Sequence, residues 1–187
     1  VSVPIKEEIQ AHLLIEVDGN YPEVLFQEAE KITEVLEQFE IDEVLFADTE
    51  DQKNALWKLR RAVGEAVKSN SVYKEEDTVV PRYALPILLK GVKDAGKKYG
   101  FHTVCYGHAG DGNLHIRINH PTIKNSYNNP EMTKALMPLF ELIVSLGGTI
   151  SGEHGVGLIQ KPFLKTVSQS AGPTQGYPPY DFAGGAS

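Results

Sequence analysis

The stretch Phe101–Asn119 alternates on either side of Asp111-Gly112 and reads as a hairpin. An Asp-Gly pair between alternating runs is a strong hairpin signal, because tight turns need residues that tolerate positive φ. A two-residue turn there places Gly110 opposite Asn113 and His108 opposite His115. Directly opposed residues hold their Cβ atoms ~5 Å apart on one face, close enough for two imidazoles to share an ion. Alternation also sorts the faces. Leu114, Ile116 and Ile118 share one with Ala109, Gly107 and Cys105, large groups against small. Tyr106, His108, Asn113, His115 and Arg117 share the other. A slip of one residue would bury both histidines instead.

The flanking chain reads as alternating strands and helices. His12–Val17 and Ile41–Ala47 are strand candidates. Between them, Pro22 opens a helix with Leu25, Ile32, Leu36 and Phe39 at helical spacing. Thr49-Glu50-Asp51-Gln52 matches a capping box. The helix after it carries Leu56, Leu59, Val63 and Val67 along one stripe, with Arg60 on its border. Thr78–Val80 is a short strand candidate ending at Pro81. Leu85–Tyr99 reads as a helix stopped by Gly100. A long helix opens at Asn129-Pro130 and stops at Gly147-Gly148. Thr149–Ser151 is a short strand candidate, and a further helix is expected from Gly155 through Leu164. The expected fold is α+β, a mainly antiparallel sheet with helices packed on it. Residues 1–10 read as a lead-in, 11–167 as the domain, and 168–187, rich in Gly, Pro, Ser and Ala, as a disordered or non-native tail.

Composition excludes some classes. A net charge of -7 over 187 residues argues against nucleic acid as the main partner, since phosphate binding needs a basic surface. No apolar run approaches the length of a transmembrane helix. Cys105 is the only cysteine, and a buried inert thiol is its expected state. The chain starts at Val1, so a piece of a longer protein is expected.

A second motif, Ser151-Gly152-Glu153-His154-Gly155, supplies a carboxylate and another imidazole. Two histidines and one carboxylate leave open coordination positions, the pattern of a catalytic divalent metal. Neighbours on an extended segment point opposite ways. Glu153 is therefore assigned to the metal with His108 and His115, and His154 is left as a base. The ligand set suits Zn, Mn or Fe. Arg60 is the best candidate to grip an anion, because a guanidinium takes a carboxylate in bidentate fashion. Lys74 reads as part of a solvated charged stretch, and Asp77 and Pro81 as structural.

In order along the chain, Trp57-Lys58-Leu59-Arg60, Glu76-Asp77-Thr78-Val79-Val80-Pro81, Gly107–His115 and Gly152-Glu153-His154-Gly155 resemble the C-terminal domain of FAD-linked oxidases. That group includes the glycolate oxidase flavoprotein subunit, D-lactate dehydrogenase and D-2-hydroxyglutarate dehydrogenase. The resemblance runs from about Leu13 to Leu164. It implies a ferredoxin-like substrate cap of a vanillyl-alcohol-oxidase-type flavoenzyme, with FAD held mainly by an N-terminal domain. It implies a zinc-like ion on His108, His115 and Glu153, and His154 as the catalytic base. It further implies that Arg60 and Lys74 bind the substrate carboxylate, with Asn113 near substrate and flavin and Glu153 at the cofactor. The reaction implied is oxidation of a 2-hydroxy acid to a 2-oxo acid, with hydride passing to flavin.

The partners implied are a small 2-hydroxy acid, the N-terminal FAD-binding domain and an electron-transfer subunit. The expected location is cytoplasmic, or peripheral to a membrane within a parent complex. No flavin-binding domain lies in these residues, so the chain alone is expected neither to hold FAD tightly nor to turn over substrate. The closing Asp-Pro...Asn-Pro-Gly-Lys stretch of the family is absent after Lys165. From the residues alone, a self-sufficient metal-dependent hydrolase and a non-catalytic metal-binding or interaction domain stay open beside the flavoenzyme.

Overall fold

The computed structural model describes residues 9–70, 74–119, 130–152 and 163. The chain divides into two compact units, residues 1–69 and 70–187.

In the first unit, α1 spans Pro22–Leu36, with proline in its first turn. The helix α2 spans Glu50–Asn70. Its start is the expected capping box. The Gln52 amide donates to the Thr49 hydroxyl at 3.3 Å, and the Thr49 amide donates to Gln52 Oε1 at 3.3 Å. Each side chain satisfies a backbone N–H that the helix leaves without an internal acceptor. The strands expected at His12–Val17 and Ile41–Ala47 do not form; both segments are irregular and pair with nothing in a sheet. Alternation gave each a face to bury but no edge to join, and a strand exists only through its ladder. Their apolar residues, Leu13, Ile15, Val44 and Phe46 among them, stay exposed.

The second unit holds the sheet. The strands are β1 (Lys74–Val79), β2 (His102–His108) and β3 (Asn113–Asn119), in the order β1-β3-β2, all antiparallel. The fold is therefore α+β, as the alternation of elements predicts. The strand β1 begins earlier than the sequence suggests, at Lys74 rather than Thr78. After a 3-10 turn at Arg82–Ala84, α3 runs Leu85–Tyr99 and ends at Gly100, whose φ of 72° lets its amide and that of Phe101 close on Gly96 O. The helix α4 runs Pro130–Ser145. Gly147, at φ 76°, turns the chain so that Gly148 N–H reaches Ile143 O at 2.9 Å. The strand expected at Thr149–Ser151 reduces to one bridge, Val79 to Thr149. Of the helix expected over 155–164, only Phe163 is among the described residues.

One side of the sheet is sealed. Leu114, Ile116 and Ile118 form a single apolar cluster with Leu88 and Val92 of α3 and Leu136, Phe140 and Ile143 of α4. Phe163 meets Phe140 edge-on, ring centroids 4.8 Å apart. Cys105, opposite Ile116, belongs to this side. Burial raises its thiol from 9.0 to about 11, which keeps it protonated and inert.

Candidate functional site

The other side of the sheet carries the chemistry, and its membership follows from period-two alternation. Three cross-strand rows are set by the register: Val79–Asn113–His108, Asp77–His115–Tyr106 and Glu75–Arg117–Val104. Tyr106, His108, Asn113, His115 and Arg117 therefore share a face, as the sequence predicts.

The expected pairing of His108 with His115 is wrong by two residues. His108 opposes Asn113, and Tyr106 opposes His115. The turn uses four residues instead of two. Ala109–Asp111 form a 3-10 turn, and Gly112 N–H closes on Ala109 O at 3.2 Å. Gly112 sits at φ 73°, and its carbonyl accepts from Val80 N–H at 3.0 Å. A Cβ at Gly112 would collide with Val80 O. The turn is thus docked against the end of β1, which local hairpin rules do not see. An even slip leaves every side chain on its face and makes the two imidazoles diagonal neighbours. Such neighbours lie ~7–8 Å apart instead of ~5 Å.

Asn113, His115 and Arg117 are buried at 3%, 8% and 3% exposure, whereas His108 is exposed. Asn113 donates from Nδ2 to Asp77 Oδ1 at 2.8 Å. Asp77 Oδ1 also lies 3.9 Å from His115 Nδ1, and Glu75 Oε1 lies 3.3 Å from the same nitrogen. The other oxygen of Glu75 meets Arg117 Nη2 at 2.8 Å. The Tyr106 hydroxyl donates to Glu75 Oε1 at 3.3 Å. Its ring stacks on His115 with centroids 5.3 Å apart, and the Arg117 guanidinium lies 5.1 Å from the same ring. Burial, followed by the negative charge of Glu75, holds the Tyr106 phenol above its ordinary pKa, so it stays a hydrogen-bond donor. Charge-assisted contacts of this kind compensate the burial of Arg117 without adding much net stability.

Gly152 ties a further segment to this face. Its amide donates to Asp77 O at 3.0 Å, and a Cβ there would lie 2.6 Å from Asp77 Oδ1 and 2.8 Å from Asn113 Nδ2. Only a residue without a side chain lets the backbone pass across that pair.

Of the expected site residues, the structure brings together His108, Asn113 and His115. Glu153 and His154 lie outside the described residues, as does the side chain of Lys74, whose backbone pairs with Ile118. Arg60 is half-buried on α2, in the first unit. Among the described residues no group of three His, Cys, Asp or Glu side chains has the geometry to hold a metal ion. Sequence reasoning passed over Glu75, Tyr106 and Arg117 as site residues and took Asp77 as structural. The alternation of Glu75 with Asp77, and of His115 with Arg117, was the available signal. Asn113 Oδ1 is buried with no hydrogen-bond partner among the described residues.

The chain is similar to known proteins. A family model described as FAD linked oxidases, C-terminal domain, matches residues 2–172. The chain is 35% identical over 166 residues to glycolate oxidase subunit GlcD of Bacillus subtilis, covering 87% of this chain and 34% of that protein. It is 35% identical over 173 residues to a D-lactate dehydrogenase of Anaerostipes hadrus, covering 90% and 35%. It is 30% identical over 170 residues to a D-2-hydroxyglutarate dehydrogenase of Stutzerimonas stutzeri, covering 88% and 36%. The chain spans about a third of the length of these relatives.

Proposed function

The chain belongs to the family of FAD-linked oxidase C-terminal domains, and on that premise we propose that it is the substrate cap of an oxidoreductase that dehydrogenates a small 2-hydroxy acid. The observation that carries the reading is the buried polar side of the sheet, centred on His115 and Asn113, in a domain of this family. The names of the relatives make glycolate, D-lactate and D-2-hydroxyglutarate the first substrates to try.

Within this reading each residue has one task. Lys74 holds the substrate carboxylate by charge and hydrogen bonds. Asn113 Oδ1 accepts from the substrate hydroxyl or the flavin edge, which would satisfy its buried lone pairs. His154 takes the hydroxyl proton as general base. FAD, held mainly by the part of the enzyme outside this chain, supplies the hydride acceptor. His108, His115 and Glu153 would hold a divalent ion, whose chemistry is to acidify a hydroxyl bound beside it. Imidazole and carboxylate donors suit Zn, Mn or Fe. An electron-transfer subunit would then drain the reduced flavin.

The test uses the enzyme with its flavin-binding part present, purified with FAD bound. Reduction of a redox dye is measured with glycolate, D-lactate and D-2-hydroxyglutarate. The expected result is turnover with one of these acids, falling about 100-fold or more in His154→Ala with FAD retained. Flavin-loaded enzyme that reduces the dye with no 2-hydroxy acid would overturn the reading.

A further inference from the structure

The three rows on the polar side of the sheet contain one permanent cation, Arg117, and two carboxylates, Glu75 and Asp77. Arg117 is already committed. Its Nη2 lies 2.8 Å from Glu75 Oε2, and only 3% of its side chain reaches solvent. The Tyr106 ring covers the guanidinium, with 5.1 Å from ring centroid to Cζ. Glu75 is the more exposed partner, at 23%, and the Tyr106 hydroxyl donates to its other oxygen at 3.3 Å. A group reaching this row from solvent meets the carboxylate before the guanidinium. His115 offers no spare charge either, because oxygens of Glu75 and Asp77 lie 3.3 and 3.9 Å from its Nδ1.

Row spacing turns this pairing into a filter. Residues two apart on a strand stand ~7 Å apart, so Glu75 and Arg117 lie one row beyond His115. The function proposed above sets the 2-hydroxy end of the substrate beside Asn113 and His115. With bonds of ~1.5 Å, the two carboxyl carbons of D-2-hydroxyglutarate stand about 5 Å apart. A chain lying along the strands therefore carries its second carboxylate into the row of Arg117. An anion taken from water needs a cation there. Arg117 could serve only by leaving Glu75, whose charge would then face the newcomer unpaired. Asp77, one row nearer, has the same sign. The row on the other side of His115 holds Val79, Asn113 and His108 and supplies no permanent cation. The hydrogen of glycolate or the methyl of D-lactate stops short of these charges.

We propose that Glu75 is a specificity-determining residue. By occupying Arg117 it closes the polar side of the sheet to a second carboxylate, so the acid oxidised is a monocarboxylate of the glycolate or D-lactate kind and not a dicarboxylate. Discrimination of this sort works by repelling the wrong ligand and asks for no extra contact with the right one. The inference rests on the reading of this side of the sheet as the substrate side.

The experiment compares kcat/KM for two acids of equal length, D-2-hydroxypentanoate and D-2-hydroxyglutarate, with glycolate and D-lactate alongside. The enzyme carries its flavin-binding part and bound FAD. The first pair differs by a methyl against a carboxylate, so their ratio reports charge and not size. Wild type is expected to favour D-2-hydroxypentanoate by about 100-fold or more. In Glu75→Gln, which releases Arg117 at nearly constant volume, the ratio should shrink by about 10-fold or more. Glu75→Ala releases the same cation with a smaller side chain and should move the ratio the same way. Because each ratio is taken within one preparation, a loss of folded enzyme cancels from it. Equal use of the two five-carbon acids by wild type, or a ratio unchanged in both Glu75 variants, would overturn the inference alone. Bound FAD that none of these acids reduces would overturn the function proposed above, and the inference with it.

Discussion

On one side of the three-stranded sheet, Leu114, Ile116 and Ile118 are sealed into a cluster with α3 and α4; on the other, Asn113, His115 and Arg117 are buried to a comparable degree. The same strand, β3, supplies both sets at alternate positions. The apolar side is held mainly by area removed from water and by close packing, although Glu76 and Thr78 of β1 are buried on it as well. The polar side is held by matched charges and hydrogen bonds, and it leaves one buried carbonyl oxygen, Asn113 Oδ1, without a partner among the described residues. Burial by itself does not mark a site.

This contrast predicts that stability and ligand binding separate by side. The largest stability effect is expected on the apolar side. Phe140→Ala should cost about 3–5 kcal/mol in denaturant unfolding, while the folded fraction keeps the Zn²⁺ affinity proposed above. A Zn²⁺ affinity that falls with it would show that the sides are not independent. Next is Arg117→Met. It removes the cation facing Glu75, and because Glu75 is 23% exposed the cost should be about 2–3 kcal/mol, below that of a fully buried pair.

Cys105 sharpens the comparison from the apolar side. Its thiol is raised from 9.0 to about 11, chiefly by burial, so the folded chain keeps a proton that the unfolded chain gives up. That contribution is complete below the unfolded value near 9 and is lost as pH rises through about 11. The unfolding free energy should fall by about 3 kcal/mol more across this window in wild type than in Cys105→Ala. Equal pH profiles would refute the burial. The smallest stability change is expected at His108→Ala. An exposed histidine should cost no more than about 0.5 kcal/mol, although the variant should bind Zn²⁺ more weakly. Unchanged Zn²⁺ affinity would remove His108 from the ligand set.

The division into two sides was legible in the sequence because alternation is a local property. Leu114, Ile116 and Ile118 could be set against Asn113, His115 and Arg117 without knowing any partner. The capping box at Thr49 and Gln52 was legible for the same reason, since both ends of its hydrogen bonds lie within one turn. The register was not. Its length is settled by Gly112 docking on Val80, a contact between strands far apart in sequence. The strands expected at His12–Val17 and Ile41–Ala47 failed similarly, because an apolar pattern states a need for burial and not where a ladder partner will be found. Glu75 and Arg117 were passed over because two charges in separate strands become a pair only once the register is known. Asp77 looked structural because its partners, Asn113 and the Gly152 amide, come from strand β3 and from a distant bend.

The most direct test is anaerobic bleaching of the bound flavin by a 2-hydroxy acid in the enzyme that carries this domain, comparing wild type with His115→Ala. The account predicts that the variant keeps its FAD and its fold but loses the bleaching, by about 100-fold or more in rate. A variant whose flavin is reduced as fast as that of wild type would contradict the assignment of this side of the sheet to substrate chemistry.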